Sequence, residues 1–459
     1  MKTRIGHLWD KLNSSLWFIP ALMAAAAAGL SIFTVNLDWS VQERLIKNTA
    51  WIWTGGSDGA REILSTVAGS MITVAGVVFS ITVVVLTLAS SQFGPRLLRN
   101  FMRDTGNQVV LGTFISTFTY CLLVLRTIRT GNGEEFVPHI SVTVGIVLAL
   151  ASLGVLIYFI HHVSVSIQSP MIIARVGEEF QRGIDRLFPQ TLGEPGGGEA
   201  ADSESAPIPA NFEREARPVP SRATGYLQAI DSDGLLDFAS EKNLLIRLKH
   251  RPGAFITEGS DLALLWPGRS LDDAIGRAIN SFFILGPERT EAQDVKFSVH
   301  QLVEIAVRAL SPGINDPFTA ITSIHHIGAG LCRLAEREIP SAFRYDADKK
   351  LRVIADPVTF ADVAEAALSP IRQYGRSSAL VDVALLETLA IVAQQVRREQ
   401  DRLALLQHAV LIAHASRSAL EEEKDRKDVE ESYRAVLSVL GGGDCRDQLP
   451  GSTDTTAHL

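Results

Sequence analysis

Apolar residues are unevenly spread along this chain, and almost all of the excess falls before residue 163. Four stretches, Leu16–Phe33, Ile63–Ala89, Val109–Leu125 and Ile140–Ile160, contain no Asp, Glu, Lys or Arg. A helix rises about 1.5 Å per residue, so a hydrocarbon core of roughly 30 Å takes about 20 such residues. Leu12, Asn13 and Gln108 extend the two shorter stretches to the interface. Buried helices of a soluble domain keep a polar stripe; these keep no charged one. The pattern predicts four transmembrane helices within 1–162. Lys2, Arg4 and Lys11 before the first run resemble a secretory leader, but three further spans follow, and a retained signal-anchor fits better.

Charge next to the spans sets an expected orientation. Lys2, Arg4 and Lys11 precede span one, and Arg96, Arg99 and Arg103 face a single acid, Asp104, between spans two and three. The other two loops balance their bases with acids, so both termini are expected on the cytoplasmic side. Trp9 and Trp17 suit the inner interfacial belt; Trp39, Trp51 and Trp53 suit the outer one.

Span two differs from its neighbours in being dense in small and hydroxylated residues. Thr66, Thr73, Ser80 and Thr87 recur every seven positions, and Gly69, Gly76, Val83 and Ser90 do so beside them. They draw one weakly polar seam at the spacing of two packed helices. Small residues let helix backbones approach closely; alternatively, copies of this helix surround a pore with hydroxyls facing water. Beyond the span Gly94-Pro95 breaks the helix. Arg96, Arg99 and Arg103 then share one face, suited to anionic lipid headgroups at roughly 1 kcal/mol each.

After His161-His162 the character changes. Residues 163–222 read as a juxtamembrane amphipathic helix, Ser169–Leu187, followed by a Gly/Pro/Ser-rich linker. Within 223–268, Tyr226–Ile230, Leu244–Leu248, Phe255–Thr257 and Leu262–Trp266 are short apolar runs split by Gly and Pro, which predicts a small β-module. Its RPGAFITEGSDLALLW stretch weakly resembles a biotinyl/lipoyl-like barrel-sandwich hairpin, without the lysine that such carriers modify. Residues 269–440 turn helical, with Val299, Leu302, Val303, Ala306 and Leu310 on one face. Ala-Leu-Ser-Pro occurs at Ala309–Pro312 and Ala367–Pro370, each expected to close a helix of a duplicated unit. Residues 441–459 read as a disordered tail. The fold class expected is therefore a four-span α-helical membrane domain plus an α+β domain, with a small β-module and a helical C-terminal part.

Composition narrows the chemistry. The net charge of −8 over 459 residues excludes the basic face of a nucleic-acid binder. Cys121, Cys332 and Cys445 form no CxxC pair, hence no disulfide framework or thiolate metal site. No phosphate-binding, dinucleotide, hydrolase or zinc signature occurs, so neither cofactor nor catalytic residue is assigned. The most distinctive soluble motif is RALSPGINDPFTA, Arg308–Ala320: a helix stop, then a start that Asp316 caps and Pro317 begins. Asn315, Asp316 and Thr319, with His325 and His326 further on, form an alternative polar ligand site.

Three stretches carry a resemblance: Gly69–Thr127, Phe159–Pro170 and Glu288–Ala320. On them the chain resembles the bacterial predicted membrane proteins catalogued as a domain of unknown function, number twenty-two fifty-four. The resemblance implies a multi-span inner-membrane protein with a cytoplasmic C-terminal region and no assigned activity. The order of a small-residue span, a basic segment, a β-module and helices is similar to small-conductance mechanosensitive channels in arrangement alone. A homo-oligomeric channel or passive transport protein, lined by span two, is the leading expectation. A membrane sensor or scaffold binding a partner or small ligand near Asp316 is the second, and a membrane-bound enzyme the third.

Overall fold

The computed structural model describes residues 15, 17–40, 53–94, 102, 104–129, 136–166, 168–188 and 208–441. The basic N-terminal residues Lys2, Arg4 and Lys11, the indoles Trp9 and Trp51, Arg96, Arg99 and Arg103, most of the predicted linker and the tail beyond 441 lie outside these. The chain divides into two units, Met1–Met171 and Ile172–Leu459.

Four helices in the first unit are long and apolar enough to cross a membrane: α1 (Phe18–Ser40), α2 (Ser57–Phe93), α3 (Thr105–Leu125) and α4 (His139–Ser166). Each outruns its apolar stretch because the helix continues through polar residues at its ends. Helix α3 is the centre of the bundle, with α1, α2 and α4 all packed on it. In its most apolar window 44% of residues are buried, against 11% in α2, the least enclosed helix. Close approach of α1 and α3 depends on Gly112, where any Cβ would enter the Met23 side chain. Tyr120, Phe114, Phe159 and Leu64 are fully buried and fill the interior.

Extension of α1 to Ser40 places Asp38 inside the bundle. Its carboxylate accepts from the Ile140 and Ser141 backbone N–H groups (2.8 and 2.9 Å) and from Ser141 Oγ (2.6 Å). The first turn of α4 leaves its N–H groups without intrahelical partners, and here a neighbouring helix caps them. Tyr120 Oη donates to Ser141 O (3.0 Å) and meets Thr34 Oγ1 (2.9 Å) beside it. At the other end of α3, Asp104 accepts from Gly106 N (2.9 Å) and lies 3.0 Å from His162 Nε2 on α4.

The second unit begins with the remainder of α5 (Ser169–Leu187). Its Ile172, Ile173, Val176, Phe180 and Ile184 are buried at helical spacing, against α10 (Pro317–Ala335). Gly330 makes room for the Phe180 ring, and Gly177 for His326. Asp185 holds Arg333 in two 2.6 Å bonds and also pairs with Arg337.

After a short turn of helix, α6 (Phe212–Glu215), two sheets follow. Strands β1 (Arg217–Pro220), β3 (Leu245–Leu248) and β5 (Asp261–Trp266) join β7 (Phe343–Tyr345) and β8 (Leu351–Ile354) in the order β1-β5-β3-β8-β7. Strands β2 (Gly225–Ile230), β4 (Phe255–Ile256) and β6 (Phe283–Gly286) form a second, β4-β2-β6. Helices α7 (Ser232–Glu241) and α8 (Asp273–Ser281) pack on them, and Leu227, Leu235, Ile246, Leu262, Leu265 and Ile279 fill the core between. The sheets thus draw β1, β6, β7 and β8 from outside 223–268. A four-residue apolar run such as Phe283–Gly286 or Leu351–Ile354 is too short for period to separate strand from helix. Pairing decides it: β6 lies antiparallel beside β2, and β8 parallel beside β3.

The remaining helices are α9 (Val295–Ala309), α10, α11 (Phe360–Gly375), α12 (Ala379–Ala393), α13 (Glu399–Ala419) and α14 (Glu423–Val439). The two Ala-Leu-Ser-Pro stretches behave differently. The first ends α9 as expected; the second does not end a helix, because Pro370 lies inside α11. A proline removes one backbone donor, and packing of Ala367, Leu368 and Ile371 against neighbouring helices holds α11 through it.

Candidate functional site

Helix α2 has two unlike faces. Ala60, Leu64, Ala68, Ala75, Val78 and Ala89 are buried against the other spans. At about 100° per residue, the predicted seam lies roughly 160° round from that face. Thr66, Gly69, Thr73, Gly76, Ser80, Val83 and Thr87 are all exposed, and Ser90 is half-buried. A Cβ added at Gly69 or Gly76 would meet nothing within 4 Å. Among the described residues, then, the seam is not used for packing.

Its hydroxyls are turned back on the helix. Thr73 Oγ1 donates to Gly69 O (2.8 Å), Ser80 Oγ to Gly76 O (2.8 Å) and Thr87 Oγ1 to Val83 O (2.9 Å). Each proton is committed to the i−4 carbonyl, the usual way a hydroxyl is satisfied in an apolar span. Each oxygen still carries acceptor lone pairs toward whatever lies opposite. Ile72, Val77, Phe79, Val84 and Leu88 flank the seam and are also exposed. Small size, acceptor oxygens and apolar flanks are what this face presents outward.

The RALSPGINDPFTA motif forms the hairpin between α9 and α10. Asp316 caps α10, with Oδ1 accepting from Thr319 N (3.1 Å) and Oδ2 from Thr319 Oγ1 (2.6 Å). The Thr319 hydroxyl is the chief cause that holds the Asp316 carboxyl below its usual range. Asn315 takes a left-handed φ of 50°, a conformation Asn tolerates better than most residues. His325 and His326 stand nine and ten residues on, about 13–15 Å along the helix axis. His326 faces Gly177 of α5, and burial pushes its pKa down. The motif therefore brings together Asp316 and Thr319, but not the histidines. Arg96, Arg99 and Arg103 lie outside the described residues.

Two polar clusters have no counterpart among the sequence motifs. One is the Asp38–Ser141–Tyr120 network of the membrane unit. The other lies between α11, α12 and α13. Asp382 is fully buried, with one oxygen 2.5 Å from Ser416 Oγ and the other without a hydrogen-bond partner. His408 is 4% exposed, 3.6 Å from Glu365, with Nδ1 unpartnered. Arg372 contributes a positive field to both. A single Asp in the apolar ALVDVALLETLAIVA run was the available signal. Among the described residues no group of three His, Cys, Asp or Glu side chains is placed to hold a metal.

Comparison with known proteins adds the following. The family model described as "Predicted membrane protein (DUF2254)" matches residues 13–391, which takes in all four spans, the seam, the Asp316 hairpin and most of α12. An uncharacterized protein of Mycobacterium tuberculosis (strain CDC 1551 / Oshkosh) is 34% identical over 436 residues, covering 93% of this chain and 81% of the relative. An uncharacterized protein of Mycobacterium bovis (strain ATCC BAA-935 / AF2122/97) is similar to the same extent, 34% over 436 residues. No solved structure matches the chain.

Proposed function

Because the chain belongs to the predicted membrane protein family DUF2254, we infer that it works in the bilayer itself, as a homo-oligomeric channel or passive transport protein whose α2 helices line the pathway. The observation that carries this reading is the outward position of the Thr66–Thr87 seam, with open space at Gly69 and Gly76. Lipid tails gain nothing from hydroxyl oxygens, whereas neighbouring helices or water do. A passive pathway also needs no charge within α2, and its apolar stretch Ile63–Ala89 has none. In this reading both termini face the cytoplasm of the inner membrane, and Arg96, Arg99 and Arg103 hold anionic headgroups beside the inner mouth.

A second reading draws on the hydroxyls being already bonded within the helix. The seam then packs copies of the chain together without a pathway, and the protein is a membrane scaffold or sensor. One experiment separates the two. Single cysteines at positions 73, 80 and 87 are probed in native membranes, with Cys121 replaced by Ala and Cys332 and Cys445 by Ser. Modification by a membrane-impermeant thiol reagent, with conductance in reconstituted bilayers that Gly76→Leu and Ser80→Leu abolish, is the result expected of a pathway. Disulfide crosslinking between copies without water access or current supports the scaffold. Quenching by lipid-borne probes with neither of these removes both readings.

A further inference from the structure

Apart from Asp382, Glu387 and Thr388, helix α12 is apolar. Helices of this kind are ordinarily enclosed, yet Leu380 is 56% and Ile391 57% exposed. With Val383 between them they form the floor of an open groove of about 1140 Å³ between α12 and α14. The wall on the α14 side is acidic: Asp425, Asp428 and Glu431 line it, and Glu387 rises from the floor. No Lys, Arg or His is among the lining residues. None of the four carboxylates makes an ion pair among the described residues. Glu430, one position away on α14, pairs with both Arg417 and Arg434. The groove therefore holds uncompensated negative charge beside exposed apolar surface.

The geometry points to a docking site for a basic amphipathic helix of a partner protein, its apolar stripe on Leu380, Val383 and Ile391 and its Lys or Arg side chains against Asp428 and Glu431. The fit is physical on three counts. Helix-in-groove recognition places apolar anchors of the bound helix at i, i+3 or i+4 and i+7, and Leu380, Val383 and Ile391 lie along one side of α12 to receive them, with Glu387 among them. Leu380 and Ile391 lie eleven residues apart, about 16 Å along α12 at about 1.5 Å per residue, so the groove takes about three turns of a helix. Opposite charge at the rim speeds encounter and rejects wrong partners. A second copy is the poorer occupant. Symmetric contact would use the same acidic patch of both copies, gathering eight carboxylates in one interface with no basic side chain among the lining residues.

The test uses the full-length protein in non-ionic detergent and an 18-residue fluorescein-labelled peptide, with Leu at i, i+3, i+4 and i+7 spacing and Lys elsewhere. Fluorescence anisotropy is expected to show saturable binding that weakens as salt rises. The doubly reversed variant Asp428→Lys/Glu431→Lys and the single variant Ile391→Glu should each lose at least tenfold in affinity. All three positions are exposed, which spares the fold. Hydrogen exchange supplies a second readout: the peptide should protect α12 in the wild type and not in the reversed variant. Absence of binding, or equal binding to wild type and variants, overturns the proposal. So does disulfide dimerisation through Ser432→Cys that the peptide fails to compete, since the groove would then be covered by another copy.

Discussion

The buried carboxyl of Asp382 gives the sharpest quantitative prediction. Ser416 Oγ lies 2.5 Å from one Asp382 oxygen and 2.9 Å from Ile412 O. A hydroxyl has one proton, so it cannot donate to both. If Asp382 is protonated, its own O–H bonds Ser416 Oγ, and Ser416 donates to Ile412; every proton in the chain then has an acceptor. Ionised Asp382 breaks that order and carries its charge with one oxygen unpartnered. Burial is the dominant cause, opposed by Ser416 and Arg372, and it pushes the carboxyl up from 3.8 to about 7.

A carboxyl whose folded pKa exceeds its unfolded value gives stability present in full below about pH 4 and lost as pH rises through about 7. At about 1.4 kcal/mol for each tenfold in proton affinity, the loss reaches about 4 kcal/mol. Asp382→Asn keeps the shape, lets an amide N–H meet Ser416, and removes the titration. Hydrogen exchange of α12 and α13 in the full-length chain in detergent, corrected for the intrinsic rate, reads the effect locally. The difference in protection, wild type minus Asp382→Asn, should fall by about 2 kcal/mol between pH 5.5 and 7.5, and the Asn variant should exceed wild type at pH 7.5. His408, on α13, works in the opposite sense. Burial lowers its pKa, so it destabilises on the acid side; the difference between variant and wild type isolates Asp382. A difference between wild type and variant that stays level across this range, or an Asn variant weaker at every pH, refutes the reasoning.

How far the chain could be read in advance follows from the reach of each signal. Hydropathy acts over some twenty residues, and the four spans stood out because nothing charged interrupts them. The heptad recurrence of Thr66, Thr73, Ser80 and Thr87 likewise needs only one helix to be seen, but which way that face turns depends on where α3 lies. Asp38 was hidden for the same reason. It follows the apolar run by five residues, and only the folded chain reveals that α1 continues and meets the start of α4 about a hundred residues later. Strands β7 and β8 are short and far in sequence from β1, β3 and β5, so no local pattern assigns them to that sheet. Pro370 misled in the other direction: proline biases against helix interiors locally, and tertiary packing of α11 overrides it.

Further expectations follow from single contacts. Gly330→Ala drives a methyl group into the Phe180 ring and should loosen α5 at a cost of about 1–3 kcal/mol, seen as faster exchange in residues 172–187. Asp316→Ala removes the cap of α10 and should cost about 1 kcal/mol, with fraying confined to the first turn; loss of a bound ligand instead would mark the hairpin as a site. Asp38 carries the largest effect expected in the membrane unit. Its replacement by Ala leaves two backbone N–H groups and the Ser141 hydroxyl without their acceptor in an apolar interior. Each such group costs about 1–3 kcal/mol when buried and unsatisfied, so even with partial relaxation the loss should be about 3 kcal/mol or more. Asn keeps one acceptor oxygen and should recover part of it. Trp39, stacked on Phe136 at 4.5 Å beside this cap, makes fluorescence during SDS-induced unfolding a local reporter. The order wild type, Asn, Ala in midpoint is the expected result. An Ala variant as stable as wild type would mean that α4 starts without help from α1, and the inter-helix cap would lose its structural role.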